Sequence, residues 1–134
     1  MKAGNIILFF VLVVLIVIVI YSIATKDNPK VFYTKMKNFN ARTIPPMGIF
    51  ISKGQEQNNN LLKHELIHWE QYQRLGLLGF YYEYFKGEEN GYDLNPLEIE
   101  ARQRTGENDF AIYNYTYAVR NGLANTVYNP DFNP

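Results

Sequence analysis

The stretch Leu61-Leu62-Lys63-His64-Glu65-Leu66-Ile67-His68-Trp69-Glu70-Gln71 decides how this chain is read. Leu62, Leu66 and Trp69 recur at helical spacing, and the pattern continues to Leu75, so a helix is predicted over 61–75 with these four as its packing face. One of the asparagines at 58 to 60 is placed as its N-cap, and Gly76 stands where a C-terminal glycine belongs. The chain has two histidines, His64 and His68, four residues apart. On a helix, both imidazoles leave one face about one turn apart. That spacing lets two ring nitrogens reach one ion at about 2.0–2.1 Å. Glu65 lies beside such an ion without having to bind it. There it can take a proton from a water molecule and return it to a leaving amine. The plain alternative is a pair of ordinary helix histidines, buried or capping. The scarcity of histidine, with both copies flanking one glutamate, favours the metal reading.

A catalytic zinc ordinarily has three protein ligands and an open fourth position. There is no third histidine, and the absence of cysteine removes thiolate ligands, a thiol nucleophile and disulfides together. The third ligand is therefore expected to be Asp or Glu, which excludes arrangements that need a third His or a Cys. Asn95-Pro96-Leu97-Glu98-Ile99-Glu100-Ala101-Arg102 offers two candidates on a predicted helix capped by Asn95 and opened by Pro96. Glu98 is one candidate ligand; it stands three residues after the cap and fits a capping box equally well. Glu100 is the alternative ligand, or else a solvated helix residue. Glu83, Glu88 and Glu89 fall near a loop and are less attractive.

Outward from this centre, every residue from Ile6 to Ile20 is apolar. A helix of about 20 apolar residues crosses a bilayer. Residues 1–24 are expected to be a transmembrane anchor, with the membrane met through residues 6–24. Ser22-Ile23-Ala24 also suits signal peptidase, so a cleaved signal peptide stands as the other reading. Lys26, Lys30, Lys35, Lys37 and Arg42 follow the span while Lys2 precedes it, which favours a cytoplasmic domain on a single-pass protein. Formal net charge is zero, so no nucleic-acid partner is expected.

His64-Glu65-Leu66-Ile67-His68-Trp69-Glu70-Gln71, taken with Asn95 to Ala101, resembles the gluzincin-type zinc peptidases, in particular their small membrane-linked members. The resemblance covers roughly residues 44 to 105. It implies one zinc ion, a peptide or protein substrate, and a third ligand in a Glu-x-x-Ala pattern, matched by Glu98 and Ala101. It also implies an edge strand near Ile49-Phe50-Ile51 that binds substrate backbone, although a plain core strand fits as well. The acidic residue that follows the Ala in that family, and steadies a ligand histidine there, is replaced by Arg102; Glu100 is the expected substitute. Oxyanion stabilisation would fall to a tyrosine; Tyr113 and Tyr117 share a face of a predicted helix and are the candidates, with plain packing as the favoured role of either.

The expected fold is α+β: a transmembrane helix, a juxtamembrane segment over 25–43 that includes a short strand at 31–33, and a small zincin-like domain over 44–134. That domain is predicted to be mainly helical, with a small antiparallel sheet or single hairpin containing 48–52 beside the site. Further helices are predicted over 77–85, 95–105 and 110–121, with a turn at Asn90-Gly91. A membrane-anchored binding or structural module that keeps the helix without activity is the competing reading; Glu65 discriminates, because a binding module has no need of it.

Overall fold

The computed structural model describes residues 2–89 and 91–106. Among them the fold is α+β, with three α-helices and a three-stranded sheet. Helix α1 runs from Ala3 to Thr25 and is long and apolar enough to span a membrane. Strands β1 (Val31–Thr34), β2 (Ala41–Ile44) and β3 (Gly48–Ser52) follow. Helix α2 covers Asn59–Glu88, a 3-10 turn covers Tyr92–Leu94, and helix α3 covers Pro96–Thr105.

The sheet order is β1-β3-β2, with β1 parallel and β2 antiparallel to β3. This corrects two expectations. The strand at 48–52 is central rather than an edge, and the sheet is mixed rather than antiparallel. The composition accounts for both. Gly48-Ile49-Phe50-Ile51 is the most apolar of the three strands and takes the position paired on both sides, with Ile49 and Ile51 buried beneath it. The flanking strands carry or adjoin Arg42 and Lys35, which suit exposed edges. Residues 25–43 are also more than a connector, since they supply β1 and most of β2.

One face of the sheet lies on α2, where Ile49 and Ile51 meet Trp69, Tyr72, Phe80 and Leu97 in one core. Trp69 and Tyr72 meet edge to face, ring centroids 5.0 Å apart, a favoured geometry for aromatic pairs. Leu62 and Leu75 pack against this core as expected, whereas Leu66 is 42 % exposed. The helix face therefore turns its polar residues inward at 64, 65 and 68, and Leu66 points away.

The helices predicted over 61–75 and 77–85 are both present, joined across a kink as α2. Gly76 interrupts it with φ 76° and ψ 172°, a conformation that side chains with a Cβ disfavour. Asn58 is the N-cap, accepting from the Leu61 amide. At the far end, a Cβ at Gly87 would stand 2.5 Å from Asn95 Oδ1, so only glycine lets α2 approach the cap of α3. Asn95 accepts from the Leu97 amide, Pro96 opens α3, and Gly106 closes it in the left-handed conformation. The helix predicted over 110–121, with Tyr113 and Tyr117, lies outside the described residues.

Candidate metal centre

The bend in α2 leaves its first half, Asn59 to Leu75, lying along α3, and the cluster forms where the two meet. His64 and His68 project from α2 and Glu98 from α3, and all three are buried. The two Nε2 atoms are 3.1 Å apart. Glu98 Oε2 lies 3.3 Å from His64 Nε2, and Glu98 Oε1 lies 3.4 Å from His68 Nε2. Ligand atoms about 2.0–2.1 Å from a tetrahedral ion stand about 3.3 Å from one another, so the spacing suits zinc. Glu98 Oε2 is buried and takes no hydrogen bond among the described residues. Glu98 thus makes no capping box with Asn95; its carboxylate is given to the imidazoles.

The electrostatics point the same way. Burial pushes the Glu98 carboxyl up, but the adjacent His68 and His64 overcome it and hold it well below the usual carboxylate range. Burial pulls His68 down, yet the Glu98 carboxylate holds it up at about 9. Without an ion, a proton therefore sits where a cation would. Burial and the Glu98 charge also push up the phenol of Tyr92, which lines the same cleft.

A relay fixes which nitrogen of His68 faces the centre. Gln71 Nε2 donates to the Leu97 carbonyl at 2.9 Å and to Glu100 Oε2 at 2.8 Å. Those two bonds settle the orientation of the amide, leaving its oxygen 2.8 Å from His68 Nδ1. Nδ1 is therefore the donor, and in the neutral ring the Nε2 lone pair points at the cluster. Glu100 is held in turn by Arg74 Nη2 at 2.9 Å and Arg104 Nη1 at 3.3 Å. Of the two glutamates left open by the sequence, Glu98 meets the histidines and Glu100 stands behind them. Glu100 reaches His68 only through Gln71, which lies between them. Arg102 pairs with Asp93 at 3.0 Å and lies over the Tyr92 ring at the same cleft.

Glu65 is buried at the same cleft. Thr43 Oγ1 donates to it, 2.6 Å from Glu65 Oε2 and 2.9 Å from its carbonyl oxygen. The strand that does this, β2, is missing from the sequence reading. Its signal was there: Ala41-Arg42-Thr43-Ile44 and Gly48-Ile49-Phe50-Ile51 are separated by the short Pro45-Pro46-Met47 connection of a hairpin. It is β2, and not the strand at 48–52, that lies beside the candidate base. The cleft has a volume of about 800 Å³, and Arg42, Thr43, Phe80, Tyr81, Tyr84 and Tyr92 are among its lining residues. Those three tyrosines, unlike Tyr113 and Tyr117, fall within the described residues.

His64, His68 and Glu98 can thus hold a divalent cation, with a carboxylate of separate role and an apolar cleft beside it. No protein-family model, no curated protein and no solved structure matches the chain.

Proposed function

We infer that this chain is a membrane-anchored zinc-dependent peptidase of gluzincin type, with a small zincin-like domain. The observation that carries the reading is the convergence of His64, His68 and Glu98 on one point at ligand spacing, with Glu65 at the same cleft but outside that triad. Zinc bound there would supply a Lewis acid for the scissile carbonyl and an activated water at neutral pH.

The remaining work falls to the chain's own residues. Glu65 takes the proton of the attacking water and delivers it to the departing amine. Thr43 fixes the carboxylate in place, so that the proton leaves and returns along one line. Gln71 holds His68 in the tautomer that directs Nε2 inward. The aromatic lining keeps bulk water from the cleft and suits apolar side chains of a peptide or protein substrate. Tyr81, Tyr84 and Tyr92 are the candidates for steadying the oxyanion.

The anchor reading draws support from α1 itself. Tyr21 Oη donates to the Met47 carbonyl at 3.0 Å, and Ser22 Oγ meets the Tyr72 hydroxyl. Cleavage after Ala24 would strip both contacts from the domain. The basic residues after the span favour the cytoplasmic side.

The test is elemental mass spectrometry on the detergent-purified chain, with peptide-library hydrolysis alongside. One zinc per chain is expected. Glu65→Gln should keep the zinc and lose hydrolysis by about 10²–10⁴-fold. A folded wild-type chain that takes no zinc sinks the peptidase reading. Zinc without any Glu65-dependent turnover leaves an inactive anchored module.

A further inference from the structure

The outer face of the second half of α2 is apolar and uncovered. Leu78, Tyr82 and Phe85 follow one another at helical spacing on one face, and they are 86 %, 63 % and 66 % exposed. A soluble domain has little reason to show such a stripe. Its position relative to α1 says what covers it. The hydroxyl of Tyr21, in the last turns of α1, is bonded to Met47, and Thr25 Oγ1 lies 3.4 Å from the Pro46 carbonyl. The Pro45 carbonyl, in the same connection between β2 and β3, accepts from Tyr81. Tyr81 stacks on Phe85, centroids 6.1 Å apart. An unbroken run of contacts therefore leads from the end of the apolar helix to the exposed stripe, by way of Met47, which is itself exposed.

A tyrosine at the end of a span sits at headgroup level, and groups bonded to it sit there too. Two lysines reinforce that level. Lys30 Nζ lies 5.6 Å from the Tyr21 ring centroid, and Lys86 Nζ lies 5.5 Å from that of Tyr82. Aromatic rings bordered by lysine ammonium groups are the chemistry of an interfacial helix: the rings enter the acyl boundary, and the ammonium groups reach the phosphates.

We propose that Leu78, Tyr82 and Phe85, with Met47, form a lipid-docking face that lays the second half of α2 on the bilayer crossed by α1. The helix half then serves two surfaces. Its outer side meets lipid, while Phe80, Tyr81 and Tyr84 line the cleft, and Phe85 borders both. The mouth of the cleft is thereby held at the membrane surface. On the hydrolytic reading, on which this last step rests, the substrate is a peptide segment at or just outside the headgroups, and not one diffusing far from them.

The chain has no cysteine, so single-cysteine variants can be labelled without background. Leu78→Cys, Tyr82→Cys and Phe85→Cys, each carrying an environment-sensitive fluorophore, are placed in the full chain and reconstituted into phosphatidylcholine–phosphatidylglycerol vesicles. Leu12→Cys reports the span, and Gln57→Cys, beyond the opposite end of β3, reports the aqueous side. Brominated lipids are the quencher. The expected result is loss of most of the emission at 12, 78, 82 and 85, with little change at 57. Quenching at 12 without quenching at 78, 82 and 85 overturns the docking. So does a dry but unquenched label at 78, 82 and 85, which assigns the face to protein instead, such as a second copy. No quenching at 12 removes the span and the docking with it. None of these readouts needs zinc or turnover, so their failure leaves the metal reading to its own test.

Discussion

Glu98 and Glu100 stand two residues apart on one short helix, at 3 % and 2 % exposure, and they live in opposite environments. Glu100 receives hydrogen bonds from Gln71, Arg74 and Arg104. Glu98 faces two imidazoles, and its Oε2 takes no hydrogen bond among the described residues. A buried carboxylate needs compensation. Permanent guanidinium charges supply it to Glu100, which makes that side chain structural. Ring nitrogens supply it to Glu98, and they compensate a negative charge only by carrying a proton or by sharing a cation. The contrast teaches that burial alone does not separate a supporting carboxylate from a ligand; the character of its partners does.

The sharpest way to break this contrast is to neutralise each carboxylate in turn. Glu98→Gln should lower zinc affinity by more than the roughly 10–100-fold that loss of an outer partner costs, while the chelated chain stays folded. Glu100→Gln leaves Arg74 and Arg104 without their buried anion. It should destabilise the fold by about 3 kcal/mol, at the low end for a broken buried pair because Arg74 is partly exposed. Chelator competition measures the first. Urea unfolding followed through Trp69, the single tryptophan, measures the second. The reverse pattern would exchange the two roles.

A smaller effect probes the link between the two carboxylates. Gln71→Leu removes the acceptor at His68 Nδ1 while leaving both glutamates in place. Zinc affinity is expected to fall by about 10–100-fold, or roughly 1.4–2.7 kcal/mol. An unchanged affinity in the same competition assay would show that Glu100 does nothing for the cluster.

The mildest test is a pH series on the metal-free chain. His68 has an unfolded value near 6.5 and is held up at about 9 in the folded domain, against its own burial, by Glu98. A raised histidine contributes stability that is complete below about 6.5 and is lost as pH climbs toward 9. The Tm of the chelated chain should therefore decline across that window. The zinc-loaded chain should decline less, because the ion takes the place of the proton. Equal slopes would mean that proton and metal do not compete for one site.

Much of this arrangement was legible beforehand. The period of the apolar residues, the asparagines at 58 to 60 and the Asn95 cap marked the helices, because those signals are local. The spacing of His64 and His68 told which face they share. The sheet was less legible. Ala41-Arg42-Thr43-Ile44 is short and half polar, and becomes a strand only when β3 provides its partner. Leu66 followed the apolar spacing but faces outward, because the inward positions of that turn go to His64, Glu65 and His68. Gln71 passed as an ordinary helix residue, since its importance lies in what it touches on α3.

By itself, the sequence determined the apolar helix at the amino terminus, the pair of histidines on one helical face with Glu65 between them, the exclusion of cysteine chemistry, and the limitation of any third ligand to a carboxylate. These depend on residue type and on spacing along one element, which no neighbour alters. Only the tertiary structure placed Glu98, and not Glu100, against the two histidines, brought Thr43 to Glu65, and linked the exposed stripe of α2 to the end of α1 through the connection between β2 and β3. Each of those depends on how separate elements meet. At positions 98 and 100 the residue type is the same, and the difference arises from the partners that α2 presents when it packs against α3.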